Sequence, residues 1–218
     1  MYKDNNSKYL FLMTLLMELC LINFATESVH YFGFRDPHYL SVLIMAAFSI
    51  ILLSIAIIFK MRFRDFHYVW ALNHRQTIIE ALLVSVIVGG PLLWGLEEFG
   101  YLNQYFEFVK KDLTLTSGIF YICSAILQQL FFRGMFLNFM EEIYLQKWPL
   151  ASRVLFSSTI FSLTHEIWGV PVMFMTFIGN AILHLVYEKQ KNLLGVIIIH
   201  IVYGLTFFPF FALTFKDW

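Results

Sequence analysis

Seven apolar runs separated by short polar joints constrain this chain more than any other feature. They fall at about residues 9–31, 40–59, 78–96, 115–140, 150–165, 170–186 and 193–213, each near the ~20 residues a helix needs to cross a hydrocarbon layer. Lipid offers backbone amides and carbonyls no partner, so runs of this length must pair their own polar groups and fold as helices. The expected fold is all-α, a polytopic transmembrane helical bundle of about seven spans, within a range of six to eight. Only 14% of the residues are charged, against about 25% in a soluble protein. No soluble segment, internal repeat or low-complexity tract interrupts the pattern, so residues 1–218 read as a single membrane domain.

The first run follows Lys3 and Lys8 as a signal peptide would, but it is long and lacks an Ala-x-Ala-like exit, so it reads as a retained span. Basic residues set the orientation. With the N-terminus cytoplasmic, the inner joints hold Lys3, Lys8, Lys60, Arg62, Arg64, Arg75, Lys147, Arg153, Lys189 and Lys191, whereas the outer ones hold Arg35, Lys110, Lys111 and Lys216. The 60–75 joint alternates basic and aromatic residues and reads either as an interfacial segment or as a plain cytoplasmic loop. A formal charge of zero removes the basic footprint that nucleic-acid binding requires, and membrane lipids are the expected surroundings. Cys20 and Cys123 lie within apolar runs and read as small core residues.

Polar groups inside the later runs need a reason. The stretch LQQLFFRGMFLNFM, residues 127–140, holds two amides, an arginine and a glycine. A charge at the centre of a span costs roughly 2.5–3.5 kcal/mol on insertion scales, so Arg133 is expected to be paired inside the bundle or to face a wet cavity. Gln129 stands one turn before it on the same helix face. Phe161 and His165 share the same spacing in FSSTIFSLTH, and His200 precedes Tyr203 and Gly204 by one turn in IIIHIVYG. A lone histidine in a span is as often a hydrogen-bonding residue between helices as a reactive group. His184, accompanied only by Asn180, takes the structural reading, and Glu80 reads as an interhelical or interfacial partner. Metal chemistry finds little support, because HEIWG opens like a zincin but has Gly169 where the second histidine belongs. A composite of His165, His200 and Glu166 is the residual metal alternative; no cofactor is expected. Ser162 and Thr164 flank His165 on different faces, and neither is identified as an activated hydroxyl.

Taken in order, these constellations resemble the motifs of the CAAX prenyl endopeptidase and bacterial abortive-infection (ABI, CPBP) family of intramembrane proteases. QQLFFRG is similar to the family's Glu-Glu-x-x-x-Arg motif, Phe161 through His165 to its Phe-x-x-x-His, and His200 to the start of its His-x-x-x-Asn/Asp, with Gly204 in the last place. The resemblance implies a protease-like core at about 115–210, a peptide or membrane-protein substrate, and an integral protein of a bacterial cell membrane. In such a family the first glutamate and the second-motif histidine activate water, and third-motif residues stabilise the oxyanion. The second glutamate and the arginine hold the site together. Carried over, Gln128 stands at the base position, Gln129 and Arg133 at the supporting ones, Phe161 and His165 in the second motif and His200 at the oxyanion.

The two glutamines change the chemistry. A neutral carboxamide cannot accept a proton near neutral pH, and loss of a positioned base costs a factor of about 10²–10⁴. Two functional readings therefore stay open: an intramembrane endopeptidase with hydrolysis reduced or absent, and a catalytically silent relative acting as a membrane binding, immunity or regulatory protein. Isosteric glutamines beside an intact Arg133, Phe161, His165 and His200 fit deliberate inactivation, while the independent departure at Gly204 fits natural divergence. A solute carrier would show repeat symmetry and paired broken helices, and neither is visible.

Overall fold

The computed structural model describes residues 74–98, 115–137, 147–165 and 170–214, with single positions at 47, 50, 51, 54, 100, 103 and 140. The first apolar run, most of the second, most of the 60–75 joint and Glu166 lie outside the described residues. The chain divides into two compact units, Met1–Phe66 and His67–Trp218, and the helices that follow belong to the second.

Among the described residues the ordered structure is wholly helical. It comprises α1 (His74–Glu98), α2 (Leu115–Gln129) running directly into a π-helical segment (Leu130–Leu137), α3 (Leu150–Leu163), α4 (Val170–Gln190) and α5 (Leu193–Thr214). Each coincides with one of the last five apolar runs. Among the described residues α1, over His74–Gly95, is long and apolar enough to cross a membrane, and Leu150–Leu163 and Leu193–Thr206 are shorter apolar helices. Two local differences matter for function. The fourth run changes helix type at Leu130, and α3 ends at Leu163, leaving His165 in the turn beyond it.

A stripe of small side chains explains how α1 packs on α5. Thr77, Ala81 and Ser85 recur every fourth residue and are buried, which lets the two backbones approach. The Ser85 hydroxyl donates back to the Ala81 carbonyl at 2.8 Å, so its burial leaves no donor unmet. The opposite face carries Leu83, Val86, Ile87 and Trp94, each more than half exposed; hydrocarbon can solvate such a face at no cost. The core lies where α1, α4 and α5 meet, with Ala81 against Leu183, Tyr187, Leu193, Val196 and Ile199. Elsewhere α3 packs along α4, and α2 along α5.

Polar groups at the helix ends fix the joint between α4 and α5. Lys191 takes a left-handed backbone (φ 47) that closes α4, its N–H donating to the Tyr187 carbonyl at 2.7 Å. Asn192 then caps α5, its Oδ1 accepting the Leu194 N–H at 2.8 Å, while its amide donates to Thr77 on α1 at 3.4 Å. Glu80 adds a second tie, accepting from Gln190 at 3.0 Å and pairing with Lys189 at 3.5 Å, in keeping with its expected interhelical role. The Asn192→Ala variant removes the cap and one interhelical bond. It is expected to lose about 1–2 kcal/mol of stability, read as a lower thermal midpoint in detergent, whereas an unchanged midpoint would mean that the joint does not depend on its cap.

Candidate functional site

Arg133 sits on the π-helical segment with no exposed surface, in a run where Phe131, Phe132, Gly134, Phe136 and Leu137 are also buried. Burial on all sides, rather than along one stripe, means that its charge must be met by protein. Its guanidinium donates to Gln129 Oε1, to the Asn180 side-chain oxygen at 2.6 Å and to the Asn180 carbonyl at 3.3 Å. The glutamine is the partner that helix spacing suggests. The Asn180 side chain, from α4, is an addition. π-Helical turns widen the backbone and occur frequently at functional sites; this one begins directly after Gln129 and carries Arg133.

The arginine also dictates chemistry one step away. Because a guanidinium can only donate, the Gln129 oxygen must face it and the Gln129 amide must face away. That amide lies 2.6 Å from His200 Nδ1, which therefore accepts, so the neutral imidazole carries its proton on Nε2. His165 is set the opposite way. Its Nδ1 lies 3.0 Å from the Phe161 carbonyl, an acceptor only, so the proton is on Nδ1 and Nε2 has a free lone pair. Thr164 steadies this turn, its hydroxyl donating to the same carbonyl at 2.7 Å.

Phe161 brings the two histidines together. Its buried ring lies 5.0 Å from the His165 ring and 5.9 Å from the His200 ring, centroid to centroid, with Phe132 against it at 5.0 Å. Two half-buried imidazoles of opposite tautomer thus share one phenyl ring, one offering an acceptor and the other a donor.

Gln128 does not join this network. Its amide donates to Ser124 on its own helix at 3.1 Å, and its buried Oε1 has no hydrogen-bond partner among the described residues. The reason is geometric: successive residues of an α-helix are turned by about 100°, so 128 and 129 face different ways. Hydrogen bonds link Gln129, Arg133 and His200, and ring packing links Phe161, His165 and His200, while the side-chain hydrogen bond of Gln128 goes to Ser124 on its own helix.

Beyond Arg133 a second polar layer extends between α3 and α4. The Asn180 amide lies 3.5 Å from both Ser157 and Ser158, and Ser157 Oγ is 2.8 Å from His184 Nδ1. His184 Nε2 lies 3.7 Å from Glu188, which pairs with Arg153 at 3.1 Å and Lys191 at 3.0 Å. Ser157, His184 and Glu188 have the order of a hydrolytic relay, but serine and histidine are fully buried and no substrate carbonyl can reach them. Their role is interhelical, as the sequence suggests for His184. The i,i+4 spacing of Asn180 and His184 and the paired serines in α3 are the signals that identify this layer. Among the described residues no group of three or more His, Cys, Asp or Glu side chains could hold a metal ion. Cys123, expected in the core, is exposed on α2.

Residues 110–206, which carry every candidate site residue, match the family described as Rce1-like, type II CAAX prenyl endopeptidase. The three motifs all fall within that segment, and the segment is similar to the Rce1-like family. That family consists of integral membrane proteins acting as endopeptidases. No curated protein and no solved structure matches the chain.

Proposed function

We propose that this chain is an intramembrane endopeptidase scaffold of the CAAX and abortive-infection type whose hydrolytic step is held off by the carboxamides at 128 and 129. Residues 115–210 form its protease-like core within a bundle of about seven spans. Its N-terminus is cytoplasmic, its membrane is a bacterial cell membrane, and its substrate is a peptide or membrane protein. The opposite tautomers of His165 and His200 on one phenyl ring carry this reading. Hydrolysis needs an acceptor for a water proton and a donor for the oxygen that becomes negative. His165 Nε2 supplies the first and His200 Nε2–H the second. A carboxylate at 128, with His165, takes the proton from water; the water oxygen then bonds to the peptide carbonyl carbon as the carbonyl electron pair moves onto the oxygen facing His200. Arg133 and Asn180 hold residue 129, and through it His200.

The test compares cleavage of membrane-associated peptides in proteoliposomes by the chain as it stands and by Gln128→Glu/Gln129→Glu. Cleavage by the double variant, lost again with His165→Ala, supports the assignment, and equal cleavage by both proteins would remove Gln128 from the base position. One observation favours a second reading, a silent binding, immunity or regulatory protein: the Gln129 carboxamide is satisfied at both ends, by Arg133 and by His200, without a carboxylate. Absence of cleavage by either protein across a broad peptide panel selects that reading.

A further inference from the structure

Tyr121 stands two turns before Gln128 on α2, outside every motif discussed so far. Its hydroxyl donates to the backbone carbonyl of His200 at 3.1 Å, and its ring meets the imidazole nearly edge-on, with centroids 6.4 Å apart and an interplanar angle of 88°. The carbonyl of residue 200 already takes the N–H of residue 204 within α5, and its second lone pair is the one that Tyr121 uses. A side chain at i+4 normally screens a helix carbonyl from a neighbouring helix. Position 204 is glycine, and the tyrosine hydroxyl occupies the space that a Cβ would take there. Gly204 is therefore a notch, and the helix that carries Gln128 and Gln129 is fastened through it to the turn that carries His200.

We propose that Tyr121, seated in the Gly204 notch, is a positioning residue for His200, holding its helix turn and ring so that Nδ1 meets Gln129 and Nε2–H faces the reacting centre. The departure of Gly204 from the third motif then has a local reason: the polar group beside His200 comes from α2 rather than from position 204. The catalytic part of this inference rests on the endopeptidase reading; the placement of His200 does not.

Two measurements keep these apart. In the full chain as it stands, labelled with 15N-histidine and with His200 assigned through His200→Gln, Tyr121→Phe is expected to move the His200 ring nitrogen signals and leave those of His184 in place. Unmoved His200 signals overturn the proposal whatever the activity. In the Gln128→Glu/Gln129→Glu background, Tyr121→Phe is expected to lower kcat at least tenfold with KM unchanged, since a misplacement of about 1 Å can cost ~10²-fold. Gly204→Asn alone, whose side chain meets the tyrosine, is expected to lose activity that the combination with Tyr121→Ala partly recovers. Independent, multiplying losses overturn the notch, and an equal rise in KM would make Tyr121 a substrate contact instead. Should the double glutamate protein cleave nothing, the endopeptidase reading fails, and the positioning of His200 is then decided by the imidazole signals.

Discussion

Gln128→Glu alone is expected to raise membrane peptide hydrolysis by about 10²–10⁴-fold, the range by which a positioned general base accelerates proton transfer. The Ser124 hydroxyl, which accepts from the Gln128 amide, can rotate to donate to a carboxylate there, and the carboxylate gains what the carboxamide lacks, a site that can take a proton. Gln129→Glu alone is expected to stay at background. Its oxygen still meets Arg133, but a carboxylate can only accept, so His200 Nδ1 must become the donor and Nε2 keeps its proton only on a fully protonated ring. Restoring both carboxylates should match or exceed Gln128→Glu where the second carboxylate holds His200 as the imidazolium, which keeps Nε2–H as a donor. In any active variant His200→Ala is expected to cost about 10²–10³-fold, as for removal of one oxyanion donor. Activity in Gln129→Glu but not Gln128→Glu would exchange the two roles and place the base on the Arg133 side of the helix.

How much of this was legible beforehand depends on which interactions are local. Arg133 stood out because a guanidinium within an apolar run has few acceptable environments, and Gln129 followed from helix spacing alone. Phe161 and His165 were legible as a pair for the same reason. The later helices were legible because their apolar runs are bounded by short polar joints, and a helix is the form that pairs its own backbone within such a run. What lies across the bundle was not. Asn180 is 47 residues from Arg133, and nothing in an amide's sequence context says which helix it will face. Tyr121 was hidden among 11 tyrosines and 25 phenylalanines, so an aromatic in that run carried no signal. Cys123 shows the general difficulty: where surroundings and core are equally apolar, hydrophobic pattern no longer separates the two faces of a helix. The His200 tautomer is set by Gln129, a partner brought in from another element.

Asn180→Leu is expected to be the most damaging single change in the polar layer, at about 3 kcal/mol, the scale at which a buried charge is left short of a partner. Leucine branches at Cγ as asparagine does but offers no polar atom, so Arg133 loses its 2.6 Å bond to the Asn180 oxygen while its guanidinium stays fully buried. For a chain of this length the thermal midpoint should fall by roughly 6–12 °C. Arg133→Leu behaves differently. It leaves the Gln129 and Asn180 oxygens unmet, at about 1–3 kcal/mol each, yet it also removes the charge whose burial the network exists to offset. Hence Arg133→Leu added to Asn180→Leu should restore stability rather than lower it further, a coupling that changes sign, as expected for residues in one network. Thermal unfolding of the two single variants and the double variant in the same detergent decides the matter. A double variant whose loss equals the sum of the two single losses would mean that Asn180 does not carry the guanidinium and that Arg133 is stabilised from another side.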